Sequence, residues 1–147
     1  MIELFPDSAR VERGELELGG VAAGALAERF GTPLLVYCER TLRERARALR
    51  AAAGGPVFFG TKAFPNVALL RLLREEGIGA DVASTGELAF ATAAGLRGEE
   101  LVAHGNNKDG RFLAQAAAAG ATVALDAADE AALAAAAGAV RALVRVT

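Results

Sequence analysis

A chain of 147 residues is long enough for one domain with a core of its own, and 53% hydrophobic with 23% charged residues is the balance of a soluble globular protein. A net charge of −2 gives no electrostatic reason to expect nucleic acid or an anionic membrane as partner, and the lone Cys38 excludes an intramolecular disulfide and suits a cytoplasmic setting. No apolar run reaches the roughly 18 residues that span a bilayer, since even the longest candidate, at 112–125, is interrupted by Gln115 and Gly120.

In chain order, the first twenty residues alternate charged and apolar side chains, which rules out the apolar core of a signal peptide. Short strands are expected at 2–5 and 16–18, then a helix at 21–30 ended by Gly31. Beyond this point β-like runs alternate with helical stretches roughly every 22 residues. The runs are 33–38, 57–60, 80–83, 101–104, 122–125 and 140–146; the helices are 41–53, 66–76, 86–94, 109–119 and 129–137. Val67, Leu70 and Leu73, with Leu69 and Leu72, form one apolar stripe opposite Arg71, Arg74 and Glu75. Gly54, Gly77, Gly95, Gly120 and Gly138 are placed to close helices, and Asp109 and Asp129 to open them.

Alternating β and α imply a parallel sheet flanked by helices, closed either as an open doubly wound sheet or as a (β/α)8 barrel. A barrel takes about 250 residues. The expected class is α/β with about six βα units, which would be only part of a barrel, and the first thirty residues could be an entry segment that belongs to another domain. The chain stops within a β-run at Thr147, which reads as a piece of a larger protein.

Functional groups in parallel α/β folds collect at the carboxyl ends of the strands. Three consecutive strand ends carry Lys62, then Asp81 with Ser84 and Glu87, then His104 with Asn106 and Asn107. Of the sixteen basic residues only Lys62 and Lys108 are lysine, in a chain that otherwise uses arginine. An amine can lose its proton and attack a carbonyl, which a guanidinium cannot. Lys62 closes an apolar run that would bury it and favour the neutral amine, the bland alternative being a lysine reaching out to solvent. Asp81 could balance a cation there, or merely serve a loop; Glu87, at a helix start, is more simply a dipole-stabilised carboxylate. His104 is the only histidine, so sites needing several imidazoles are excluded and no metal is expected. Asn106 and Asn107 could be turn formers. Cys38 has no histidine nearby in sequence and reads as core.

Four segments together resemble the diaminopimelate decarboxylases, fold-type III enzymes on the barrel shared with alanine racemases. Gly31-Thr32-Pro33-Leu34-Leu35-Val36-Tyr37 is similar to the segment opening their barrel. Phe58-Phe59-Gly60-Thr61-Lys62-Ala63-Phe64 is similar to their cofactor-lysine motif, with Gly60 where alanine is common. Gly79-Ala80-Asp81-Val82-Ala83-Ser84-Thr85-Gly86-Glu87-Leu88 and His104-Gly105-Asn106-Asn107-Lys108 complete the match, the last favouring this branch. The resemblance implies decarboxylation of meso-2,6-diaminopimelate to L-lysine and carbon dioxide through a Schiff base of pyridoxal 5'-phosphate on Lys62. Asp81 and His104 would line the cofactor site, with Ser84, Glu87, Asn106 and Asn107 in support. It also implies a partial (β/α)8 barrel at 31–147, with residues 1–30 contributing to a β-domain, and a cytoplasmic homodimer at full length, with phosphate-loop, ring-stacking and interface residues beyond Thr147, so that the chain alone would be inactive. Alternatives within reach are another enzyme of this barrel type, acting on ornithine, arginine or alanine, or a protein that holds the cofactor without turnover.

Overall fold

The computed structural model describes residues 5–146, which form two compact units meeting at Leu49 and Arg50. The expected strand at 2–5 lies outside the described residues except for Phe5, which is in a bend. In the first unit β1 (Arg10–Glu12), β2 (Glu15–Leu18) and β3 (Val21–Ala22) make an antiparallel meander. It is followed by α1 (Ala23–Phe30), which Gly31 closes at φ 79°. The strand at 10–12 was not foreseen; it pairs with β2 across the turn at Arg13 and Gly14, both at positive φ. Cys38 is half-buried, its sulfur 3.0 Å from the Ser8 hydroxyl, so it is not a core residue.

The run at 33–38 is not a strand. It pairs with no strand among the described residues, and Leu35 and Tyr37 are exposed. Strand propensity is realised only through a partner ladder and a face to bury. The long helix α2 (Glu39–Ala53) follows.

The second unit is built on five parallel strands in sequential order, β4 (Phe58–Gly60), β5 (Gly79–Val82), β6 (Leu101–Ala103), β7 (Thr122–Leu125) and β8 (Ala142–Val144). Helices α3 (Val67–Glu75), α4 (Thr85–Ala93), α5 (Gly110–Ala118) and α6 (Glu130–Ala136) connect them. A doubly wound sheet needs a point where strand order reverses. None occurs in β4 to β8, so this is an arc of a (β/α)8 barrel, with five of the expected six strands formed.

Right-handed crossovers put the connecting helices on one face of the sheet. Ala80, Val82, Leu101, Ala103 and Val123 point that way and pack with Leu70, Leu88, Phe112 and Leu113 in one buried cluster. Asn66 caps α3 by accepting from the Leu69 amide at 3.0 Å, and Asp109 caps α5 by accepting from Phe112 at 2.7 Å. The five glycines expected to close helices all take positive φ, 73° at Gly77. Asp129, expected as a cap, makes no capping bond; it is already helical, and the Glu130 carboxylate takes the amides of Asp126 and Ala127 instead. No helix among the described residues is long and apolar enough to cross a membrane.

Candidate active site

Because side chains alternate along a strand, the face turned away from the helices is fixed by register. Gly60 lies opposite Asp81, and Asp81 opposite Val102, so these three share that face. His104 extends the pairing past β6 by donating its amide to the Val82 carbonyl at 2.8 Å, which returns its side chain to the same face two residues beyond Val102. After β4 the chain turns through a single 3₁₀ turn, Thr61–Ala63. Thr61 takes the buried position and Lys62 is exposed. The expectation that the strand would bury Lys62 is therefore corrected: the strand ends at Gly60, and the turn carries the lysine past the apolar run.

Lys62, Asp81, Glu87, His104 and Asn106 line one cleft of about 330 Å³, with Arg145 completing it. Asp81 Oδ1 is buried and accepts no hydrogen bond. The nearest cationic candidate is His104 Nδ1 at 3.8 Å, too long for a hydrogen bond and an ion pair only when the imidazole is protonated. Burial holds the Asp81 carboxyl above the ordinary aspartate range; the charge of His104 opposes this, Glu87 adds to it and Lys62 opposes it. An acceptor this poorly satisfied is a place where a donor from outside the chain would be welcome.

Glu87 is fully occupied at the start of α4. Its Oε2 accepts from the Ala83 amide at 2.9 Å and its Oε1 from the Ser84 hydroxyl at 3.3 Å. In return the Glu87 amide donates to Ser84 Oγ at 3.2 Å. This is a capping box whose carboxylate reaches one residue further back than usual. Ser84 thus shapes the entry of α4 without lining the cleft. Asn107 is exposed and does not line it either, whereas Asn106, one residue nearer the strand, does.

Arg145 was missed because the run at 140–146 reads as one continuous strand. The strand ends at Val144, so Arg145 occupies the position after β8 that Lys62 and His104 occupy near the ends of β4 and β6. Its guanidinium donates to Asp126 Oδ1 at 3.3 Å. That bond and the burial of Lys108 beside it were also unforeseen.

The parallel α/β arc thus presents an amine, an unsatisfied carboxylate, an imidazole and a guanidinium at its carboxyl edge, where barrels of this kind carry their functional groups. Residues 39–147 match the sequence model of the family described as pyridoxal-dependent decarboxylase, pyridoxal binding domain, and the chain belongs to that family. It is 49% identical over 106 residues to a diaminopimelate decarboxylase of Actinosynnema pretiosum subsp. auranticum, across 71% of this chain and 24% of that one. The Bacillus subtilis diaminopimelate decarboxylase is 46% identical over 110 residues, across 71% of this chain and 25% of that enzyme. The chain thus spans about a quarter of the length of these relatives. Among solved structures, the diaminopimelate decarboxylase of M. jannaschii superposes with a TM-score of 0.84 at 27% identity, over 97% of this chain and 36% of the other. The same enzyme in co-complex with L-lysine gives 0.78 at 29%, over 90% and 33%.

Proposed function

We propose that the protein carrying this chain removes the carboxyl group at the D-centre of meso-2,6-diaminopimelate, giving L-lysine and carbon dioxide, with pyridoxal 5'-phosphate held by Lys62. The observation that carries the reading is the meeting of Lys62 with the unpartnered, buried Oδ1 of Asp81 in one cleft. The residues fit the cofactor: an exposed primary amine suits its aldehyde, and Arg145 gives a permanently cationic group for an anionic cofactor or substrate. When bound, the cofactor supplies an electron sink for the pair left behind by the departing carboxylate.

The chain's own residues do the rest. Lys62 Nζ would hold the cofactor, and it would have to be unprotonated to do so. Asp81, with a carboxyl held above its ordinary range and Oδ1 free, can accept a hydrogen bond from an ammonium or take its proton for a time. His104 sets the charge felt by Asp81 from 3.8 Å, and Glu87 with Ser84 fixes the turn that follows β5. In this reading residues 1–30 belong with a β-domain, 31–147 with the barrel, and the working enzyme is a cytoplasmic homodimer.

The test is to incubate the full protein with pyridoxal phosphate and meso-diaminopimelate and measure carbon dioxide and L-lysine. Lys62→Ala should lose both covalent retention of the cofactor and turnover. Faster release of carbon dioxide from ornithine or arginine than from diaminopimelate would overturn the substrate. Full turnover by Lys62→Ala would overturn the site.

A further inference from the structure

Lys108 has no task in the cleft as described, yet its side chain is only 1% exposed. Its ammonium donates to the Gly105 carbonyl and to Asp126 Oδ2 at 3.0 Å, and it forms an ion pair with Glu130, whose Oε1 lies at 3.0 Å. These acceptors come from three places: the loop after β6, the residue after β7 and the first turn of α6. Two hydrogen bonds and a second carboxylate in ion-pair contact give the partners that burial of an ammonium demands. The acceptors lead back to the cleft. Gly105 lines it, and the other oxygen of Asp126 holds Arg145, which also lines it. Glu130 is itself fixed, its Oε2 accepting from the Asp126 amide at 2.7 Å and the Ala127 amide at 3.4 Å. Gly105, at φ 115°, is in a conformation that only glycine adopts freely, with Ala83 of the preceding strand end 3.5 Å from where its Cβ would stand.

We propose that Lys108 is a positioning residue for the cofactor cleft, holding the rim at 104–106 through the Gly105 carbonyl and the Arg145 guanidinium through Asp126. The proposal rests on the reading of the cleft as the pyridoxal phosphate site. It also accounts for a lysine in a chain that otherwise prefers arginine. Three acceptors converging on one point suit a compact ammonium with tetrahedral donors, and a planar guanidinium would spread its donors over a wider fork and needs more room. Without the ammonium, Glu130 loses its ion-pair partner, the Gly105 carbonyl loses its donor, and Asp126 keeps the Arg145 guanidinium on Oδ1 with Oδ2 left without the ammonium.

The experiment compares wild type, Lys108→Arg and Lys108→Met in the full protein. Two readouts are taken: amide hydrogen exchange on the cofactor-free protein, and pyridoxal phosphate affinity from the absorbance of the bound cofactor. Both variants should exchange at least tenfold faster at 104–107 and at 126–127, and bind the cofactor at least tenfold more weakly. Exchange at 79–82 in β5 should be unchanged, which a general loss of stability would not allow. If Lys108→Met does not fold, Lys108→Met/Glu130→Gln removes one of the stranded carboxylates and carries the same expectations. Wild-type exchange and affinity in Lys108→Arg, or in the double variant, would overturn the proposal for Lys108 alone. If wild type takes up no pyridoxal phosphate, the reading of the cleft falls and the proposal falls with it.

Discussion

Gly60 and Gly79 stand on adjacent strands, Gly60 opposite Asp81 and Gly79 opposite Phe58, and the structure assigns them opposite responses to a methyl group. A Cβ at Gly79 would stand 2.5 Å from Phe58 Cδ1, 2.6 Å from Cε1 and 2.7 Å from the carbonyl oxygen of Glu100. The Phe58 ring could swing aside, but the carbonyl is backbone just ahead of β6 and cannot. Gly79→Ala must therefore push β5 away from one neighbour or the other, an overpacking cost of about 1–3 kcal/mol. Gly60 has φ −67° and nothing within 4 Å of its would-be Cβ. Alanine there adopts the native backbone without strain and should stabilise by about 0.4–1 kcal/mol through the unfolded state. The chain has no tryptophan, so thermal unfolding followed by circular dichroism is the assay. Gly79→Ala should lower Tm by at least about 2 °C, and Gly60→Ala should leave it unchanged or raise it. A Gly79→Ala protein within about 0.5 kcal/mol of wild type, or a Gly60→Ala protein as damaged as Gly79→Ala, would refute the packing argument.

Leu113→Ala should cost about 2–5 kcal/mol by denaturant unfolding, because this side chain is 1% exposed at the centre of the helix-side core. Ser84→Ala should cost about 1 kcal/mol, since the Glu87 amide loses its acceptor and the Glu87 carboxylate a donor. Asp81 has a folded-state pKa raised by burial, so the folded protein binds its proton more tightly than the unfolded chain does. The stability this contributes is present below the ordinary aspartate value and is lost as pH rises through the raised one. Asp81→Asn should therefore be more stable than wild type near neutral pH while retaining pyridoxal phosphate less well, measured by melting curves and bound-cofactor absorbance. Asp126 and Glu130 shift the other way. The hydrogen bond from Lys108 chiefly lowers Asp126; for Glu130, burial pushes upward but is outweighed by the Asp126 amide and Lys108. Their stabilisation holds above the ordinary carboxylate range near 4 and fades as pH falls through the depressed values. Against wild type, Glu130→Gln should flatten the acid side of the stability profile.

Much of this architecture was legible because the signals are local. The repeat of apolar runs and capped helices is written within each twenty-odd residues, and β5, β6 and β7 fall within a residue or two of where composition puts them. The rule that chemistry gathers at strand ends then brings Lys62, Asp81 and His104 to one edge without any knowledge of their contacts. The run at 33–38 shows where this fails. Nothing in Leu34, Leu35 and Val36 says whether a partner strand stands beside them, and without one they remain extended coil.

Lys62 and Lys108 mark the same boundary from the other side. Both stand out in composition, and the argument that a burying environment selects an amine was applied to the first of them. In the structure Lys62 is exposed and Lys108 is the buried one. The error has a physical origin: burial of Lys62 was inferred from its own strand, whereas burial of a charge is decided by whether counter-charges reach it. The acids that reach Lys108 lie well along the chain, Asp126 being 18 residues on, just beyond β7, and Glu130 at the start of α6. No periodicity singles them out among eighteen acidic residues. What does single them out is the parallel register, which puts the ends of β6, β7 and β8 side by side. Once that register is known, an ammonium, two carboxylates and a guanidinium on neighbouring strand ends must either pair or repel. Here they pair, in a chain of bonds that begins at α6 and ends at the mouth of the cleft.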